Sequence, residues 1–297
     1  MAPAEAASPR FHDLVPEDAV LERISHGHIF TEGPVWNARE GALYFVDILD
    51  DTIWKWTPGV GKSVVLRPSG KANGMTYDGE GRLLVAGWTS RTVWRMASDG
   101  AITPLATHYD GQKLNTPNDI VVRSDGAIYF TDPVGGLAIV GMEGDDVQQY
   151  REPAAVFRLD PTTGGLTLLT TDVPNCNGLA FTPDESILYV NDTGGRFIQA
   201  FDVEADGTLT NGRRFCDVTG EEPGNPDGMK VDVEGNVYCT GPGGVHVFDA
   251  SGAYLGRVLA PESCSNMAWG DADRRTLYIT GRGSVFRIRL NIEGMPV

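Results

Sequence analysis

Short apolar-x-apolar runs organise this chain, and each follows a polar residue and a small or polar one. The phrase reads Glu32-Gly33-Pro34-Val35-Trp36, then Asn73-Gly74-Met75-Thr76-Tyr77, then Asn118-Asp119-Ile120-Val121-Val122. It returns as Asn177-Gly178-Leu179-Ala180-Phe181, Asp227-Gly228-Met229-Lys230-Val231 and Ser265-Asn266-Met267-Ala268-Trp269. The spacings of 41, 45, 59, 50 and 38 residues scatter around the ~40–50 of a four-stranded propeller blade. No long span carries a helical period, which counts against a mixed α/β fold.

Each phrase is followed by a turn and then by β-branched and aromatic runs such as Leu43-Tyr44-Phe45-Val46 and Ile53-Trp54-Lys55-Trp56, suited to a pleated, buried surface. A fourth short strand, for example Leu166-Thr167-Leu168-Leu169, closes the first five units. The sixth lacks one, and Val20-Leu21-Glu22-Arg23-Ile24 stands unmatched before the first unit. Joining the two closes the ring and removes a free sheet edge. The expected fold is therefore all-β, a six-bladed β-propeller whose last blade is closed by an N-terminal strand. Residues 1–18 read as an extension, mobile around His12, and 19–297 as one propeller domain. The long third unit carries an insertion at roughly residues 135–152, expected as a loop at a pocket rim.

Composition narrows the choice of partner. Within 297 residues, 40 acidic against 24 basic side chains leave a net charge of −16, the wrong sign for tracking nucleic-acid phosphates. No apolar run approaches the ~20 residues of a membrane helix, so neither nucleic acid nor membrane is expected as a partner. Cys176, Cys216, Cys239 and Cys264 show no Cys-x-x-Cys spacing, and the chain opens without an export signal. They read as buried thiols of a cytoplasmic protein.

In a propeller, equivalent positions of the innermost strands ring the axis. Here that ring is Glu32, Asn73, Asn118, Asn177, Asp227 and Ser265. Carboxylate and amide oxygens without histidine or cysteine suit a hard divalent cation. One Asn or Asp at a strand start is well explained by a local turn bond; six in register are not. Asp119 stands where most phrases carry glycine, and either adjusts the metal field, holds water, binds substrate or caps a turn. No Gly-x-Ser-x-Gly elbow or phosphate loop competes with the ring.

At these motifs the chain resembles the senescence marker protein/gluconolactonase family of metal-dependent hydrolases, from about Glu22 to Leu290. The resemblance is carried by Phe30-Thr31-Glu32-Gly33-Pro34-Val35-Trp36, by Asn115-Thr116-Pro117-Asn118-Asp119-Ile120 with Tyr129-Phe130-Thr131-Asp132-Pro133, and by Asn177-Gly178-Leu179-Ala180-Phe181 and Pro226-Asp227-Gly228-Met229. It implies that Glu32, Asn177 and Asp227 bind the metal and that Asn118 completes the site as ligand or substrate contact. It implies further that Asp119 is a substrate-side carboxylate and that Ser265 lies near the metal; Asn73 joins Ser265 in the pocket wall. The chain departs from the family at Ala86-Gly87-Trp88-Thr89, where Trp88 offers a stacking surface, and at Asn115, where animal members tend to place an arginine.

The resemblance implies lactone hydrolysis on one divalent ion, calcium first, with zinc, manganese and magnesium open. The substrate is then a small sugar lactone or similar cyclic ester, and the protein a monomer or small homo-oligomer. Asp227 is the first choice of general base and Asp119 the second. Phosphotriester or fluorophosphate hydrolysis at the same metal is the alternative, and a non-catalytic propeller with a structural metal is a third.

Overall fold

The computed structural model describes residues 3–296; Met1, Ala2 and Val297, at the ends of the expected extension and propeller, lie outside them. Six antiparallel sheets follow one another along the chain, the first four built wholly from consecutive strands and the last two each completed by a strand from the start of the chain. Blade one, for example, comprises Thr31–Asn37, Ala42–Asp47, Thr52–Thr57 and Gly61–Leu66. A separate two-stranded ribbon, His108–Tyr109 with Gln112–Lys113, precedes blade three. The architecture is the six-bladed propeller that the repeat predicts.

Blade six consists of Cys264–Gly270, Thr276–Gly281 and Ser284–Arg289, and its outer strand is Glu22–His26 from the start of the chain. The pairing is antiparallel, with Glu22 opposite Arg287 and His26 opposite Ser284. His28 ties this join to blade one. Its Nε2 lies 2.8 Å from Ser25 Oγ and its Nδ1 3.6 Å from Asp47 Oδ2. The ring is thus closed by a ladder and a buried polar relay.

Residues 3–21 pack against blades five and six, where the sequence suggests a mobile start around His12. Ala4–Ala6 adds a fifth strand to blade five by pairing with Tyr254–Leu259. A helical turn, Phe11–Leu14, then buries Phe11, Leu14 and Val15 against Tyr238, Trp269 and Leu290. Spacings of three and four residues put these apolar side chains on one face, and burying that face outweighs the entropy of ordering a short segment.

Apolar packing lies between blades rather than at the centre. Val35 and Val46 of blade one meet Met75 and Val85 of blade two. Ile128 and Phe130 of blade three meet Leu84 and Ala86, and Trp36 and Phe45 meet Tyr278 and Val285 across the seam. Because each sheet buries its faces against its neighbours, the axis is left free for polar groups. Cys176, Cys239 and Cys264 are buried and Cys216 half-buried, all as free thiols. His246 is likewise buried, with Nε2 2.9 Å from the Pro242 carbonyl. No helix among the described residues is long and apolar enough to cross a membrane.

Candidate functional site

The site begins with irregularities in the inner strands. The ladder slips between Glu32 and Val35, Ala72 and Met75, Cys176 and Leu179, and Cys264 and Asn266. A bulge leaves backbone groups unpaired within its own sheet, and here they pair with the next blade. The N–H of Gly74 donates to the Asn118 carbonyl at 2.7 Å and that of Gly178 to Asp227 at 2.9 Å; Gly228, just before its strand, makes the equivalent bond to Ser265 at 2.6 Å. Glycine is needed for this approach, since a Cβ at Gly178 would lie 2.2 Å from the Asp227 carbonyl oxygen. These bonds fix the backbone of Asn118, Asp227 and Ser265 against the preceding blade.

Glu32 and Asp227 meet there. Glu32 is buried, and its Oε2 accepts the Gly33 N–H at 2.5 Å and the Asn266 amide at 3.0 Å. Burial, with a lesser push from the Asp119 charge, raises its carboxyl to about 7. The Asp227 carboxyl lies against those of Glu32 and the amide of Asn177, and burial followed by the Glu32 charge raises it well above the ordinary aspartate value. Although surrounded by protein, Asp227 and Asn177 each keep part of their surface open, so a ligand can reach them. Two carboxyls desolvated side by side resist ionising together unless a cation joins them.

The amides supply further oxygen donors. Asn177 Nδ2 donates to Thr193 Oγ1 at 3.1 Å, and its Oδ1, although buried, has no partner. Asn73 Oδ1 is orphaned in the same way. Both acceptors are therefore free to bind a ligand or a cation. Among the described residues, no three His, Cys, Asp or Glu side chains form a metal cluster. The donor set here is of another kind, two carboxyls with amide oxygens, and its chemistry fits an oxygen-seeking divalent ion.

The remaining expected residues divide. Asn118 is buried beside this group, its N–H bonded to the Thr131 carbonyl at 2.8 Å. Asp119 is buried; its Oδ1 accepts the Ile120 N–H at 2.9 Å, and its Oδ2 has no hydrogen-bond partner. Ser265 Oγ is spent on the Thr31 carbonyl at 2.6 Å and Thr280 Oγ1 at 2.9 Å. Asn115 is fully buried, its N–H bonded to Asp132 Oδ2 and its Oδ1 orphaned. Trp88 is buried under the insertion, where a Cβ at Gly136 would come within 2.4 Å of the indole. The insertion is held down from blade two, by Lys71 to the Glu143 carbonyl at 2.8 Å and by Arg91 to the Gln148 carbonyl at 2.8 Å.

Two residues of the site are not evident from the repeat alone. Asn266 orients Glu32, and Lys230 places its Nζ 3.8 Å from Asp119 Oδ2. A signal existed for Asn266: the second place of the phrase is glycine in four repeats, and Asp119 and Asn266 are the exceptions. In both, the side-chain Oδ1 accepts the next backbone N–H, at 2.9 and 2.8 Å.

The model of the SMP-30/gluconolactonase/LRE-like region matches residues 30–282. A gluconolactonase from Zymomonas mobilis is 31% identical over 97% of this chain and 86% of its own length. A pentonolactonase from Haloferax volcanii is 32% identical, over 85% of this chain and 81% of its own. The solved structure of a gluconolactonase from Xanthomonas campestris superposes with a TM-score of 0.90 at 32% identity, covering 97% of this chain and 94% of that one.

Proposed function

The chain belongs to the SMP-30/gluconolactonase/LRE-like family, and we propose that it is an enzyme that opens a small sugar lactone with water, using a divalent ion held by Glu32, Asn177 and Asp227 beside Asn118. One observation carries the reading. Glu32 and Asp227 are buried against each other with both carboxyls raised, beside the orphaned Asn177 Oδ1. The gluconolactonase and pentonolactonase relatives support the substrate class.

A divalent ion bound at such a site polarises the lactone carbonyl and acidifies the attacking water. The chain's own residues do the rest. The half-buried Asp227 carboxylate takes the proton of the attacking water and returns it to the ring oxygen as the C–O bond breaks. Asp119 suits that role less well, because one oxygen holds a backbone N–H and the other faces Lys230. The orphaned Oδ1 atoms of Asn73 and Asn115 are acceptors for which a polyhydroxylated substrate carries donors. Trp88, covered by Gly136, shapes the wall from behind.

Proton release from a panel of sugar lactones, measured after chelation and after restoring calcium, zinc, manganese or magnesium in turn, tests the proposal. Turnover is expected to vanish with the metal and return with it. Asp227→Asn is expected to lower kcat by about 10²-fold or more. Lactone turnover that persists after complete metal removal overturns the metal-dependent reading.

A further inference from the structure

Lys230 is the one basic side chain in the six inner-strand phrases. It follows Asp227 by three residues in blade five, yet its Nζ reaches to 3.8 Å from Asp119 Oδ2 in blade three. Blade four stands between those blades, so the pair spans the axis. Asp119 Oδ2 is buried without any hydrogen bond, while Lys230 keeps one bond, from Nζ to the Met229 carbonyl at 3.0 Å. The same side chain also lines a cavity of about 120 Å³ shared with Thr76, Val121 and Ala180 and bordered by Met295. The other charged residue on that wall, Glu185, is already bonded to Ser124.

Three carboxyls act on one another in this space, since the charge of Asp119 is felt at both Glu32 and Asp227. A divalent ion balances two of them. We propose that Lys230 is the fixed counter-charge for the third: it neutralises Asp119 across the axis, keeps that carboxylate out of the metal's charge balance, and so matches the site to a doubly charged ion. This inference rests on the metal reading above. It adds a residue that tunes ion affinity and charge selectivity without touching the ion.

The direction of the effect distinguishes this role from a packing role. Lys230→Met removes a positive charge beside a cation site, so calcium binding by the full chain, followed calorimetrically, is expected to tighten about tenfold. Terbium, triply charged and followed by luminescence, is expected to gain more than calcium. Lys230→Arg keeps the wild-type constants. Asp119→Asn with Lys230 intact is expected to weaken calcium binding about tenfold, and the Asp119→Asn/Lys230→Met double variant to return towards wild type; this arm serves if Lys230→Met alone does not fold. A folded Lys230→Met variant that binds calcium no tighter than wild type, or a double variant no different from Asp119→Asn, overturns the proposal. Wild-type protein that takes up neither calcium nor any other divalent ion fails the metal reading itself, a result the variants cannot mimic.

Discussion

Asn266 of blade six donates its side-chain amide to Glu32 Oε2 of blade one at 3.0 Å, across the seam where the two ends of the chain are joined. The other polar atom of that amide accepts the Met267 N–H at 2.8 Å, so the orientation of Asn266 is set from both sides. Glu32 in turn is held by this bond and by Gly33, which leaves its carboxyl aimed at Asp227. Ring closure and the proposed metal site are therefore linked through one hydrogen bond.

Asn266→Ala is expected to weaken divalent-ion binding by about tenfold or more, the usual effect of removing a group that orients a ligand. The same change leaves a buried carboxyl short of a donor and is expected to cost about 1–3 kcal/mol of stability. Titration calorimetry and thermal unfolding read the two effects separately.

Metal-free protein is expected to lose stability as the pH rises. Glu32 sits at about 7 against an ordinary 4.5, and Asp227 is also raised. A carboxyl raised by folding holds its proton more tightly when folded. Its stabilising contribution is complete below the unfolded value and is lost as pH climbs through the folded one. In chelator, the melting temperature should therefore fall between about pH 5 and pH 8. Glu32→Gln should flatten the slope, and added divalent ion should reverse it by taking the place of the protons. A metal-free melting temperature that rises steadily over this range contradicts the assignment.

Gly136 lies against Trp88 closely enough that a Cβ would come within 2.4 Å of the indole and 2.7 Å of Thr116 Cγ2. Gly136→Ala is expected to push the helical turn Gly135–Ala138 off the tryptophan at a cost of about 1–3 kcal/mol. Since the insertion covers the wall and not the carboxyls, KM for the lactone should rise with metal affinity unchanged. Steady-state kinetics beside a metal titration checks this. Equal losses in both would place the insertion inside the metal site instead.

Phe11 is fully buried in the cluster shared by blades five and six. Phe11→Ala is expected to destabilise the protein by about 3–5 kcal/mol, read by denaturant unfolding. A mobile start, as the sequence suggests, would make the substitution silent.

The propeller is legible in the chain because its cause is local and repeated. The same phrase and the same apolar alternation recur six times, and each copy builds one sheet whose faces need neighbours. The unmatched N-terminal strand follows from counting, and so does the ring of Glu32, Asn73, Asn118, Asn177, Asp227 and Ser265, because equivalent positions of a repeat meet at its axis. Phe11 escapes the same reading, since a single helical turn carries no repeat and its burial depends on where blades five and six leave room.

Within the ring, the repeat alone does not separate the members; the family resemblance assigns them roles, and the tertiary structure shows what each side chain bonds to. Ser265 and Asn177 look alike as polar strand starts, yet Ser265 spends its hydroxyl on Thr31 and Thr280, while Asn177 donates its amide to Thr193 and leaves Oδ1 free. Those partners lie outside the strand itself, and Thr31 comes from another blade. Lys230 meets Asp119 and Asn266 meets Glu32 only once the ring has closed. Periodicity sets which residues reach the axis, because it acts through the strand's own geometry; charge and hydrogen bonding across the axis decide what they do there, because both depend on distances between residues far apart in sequence.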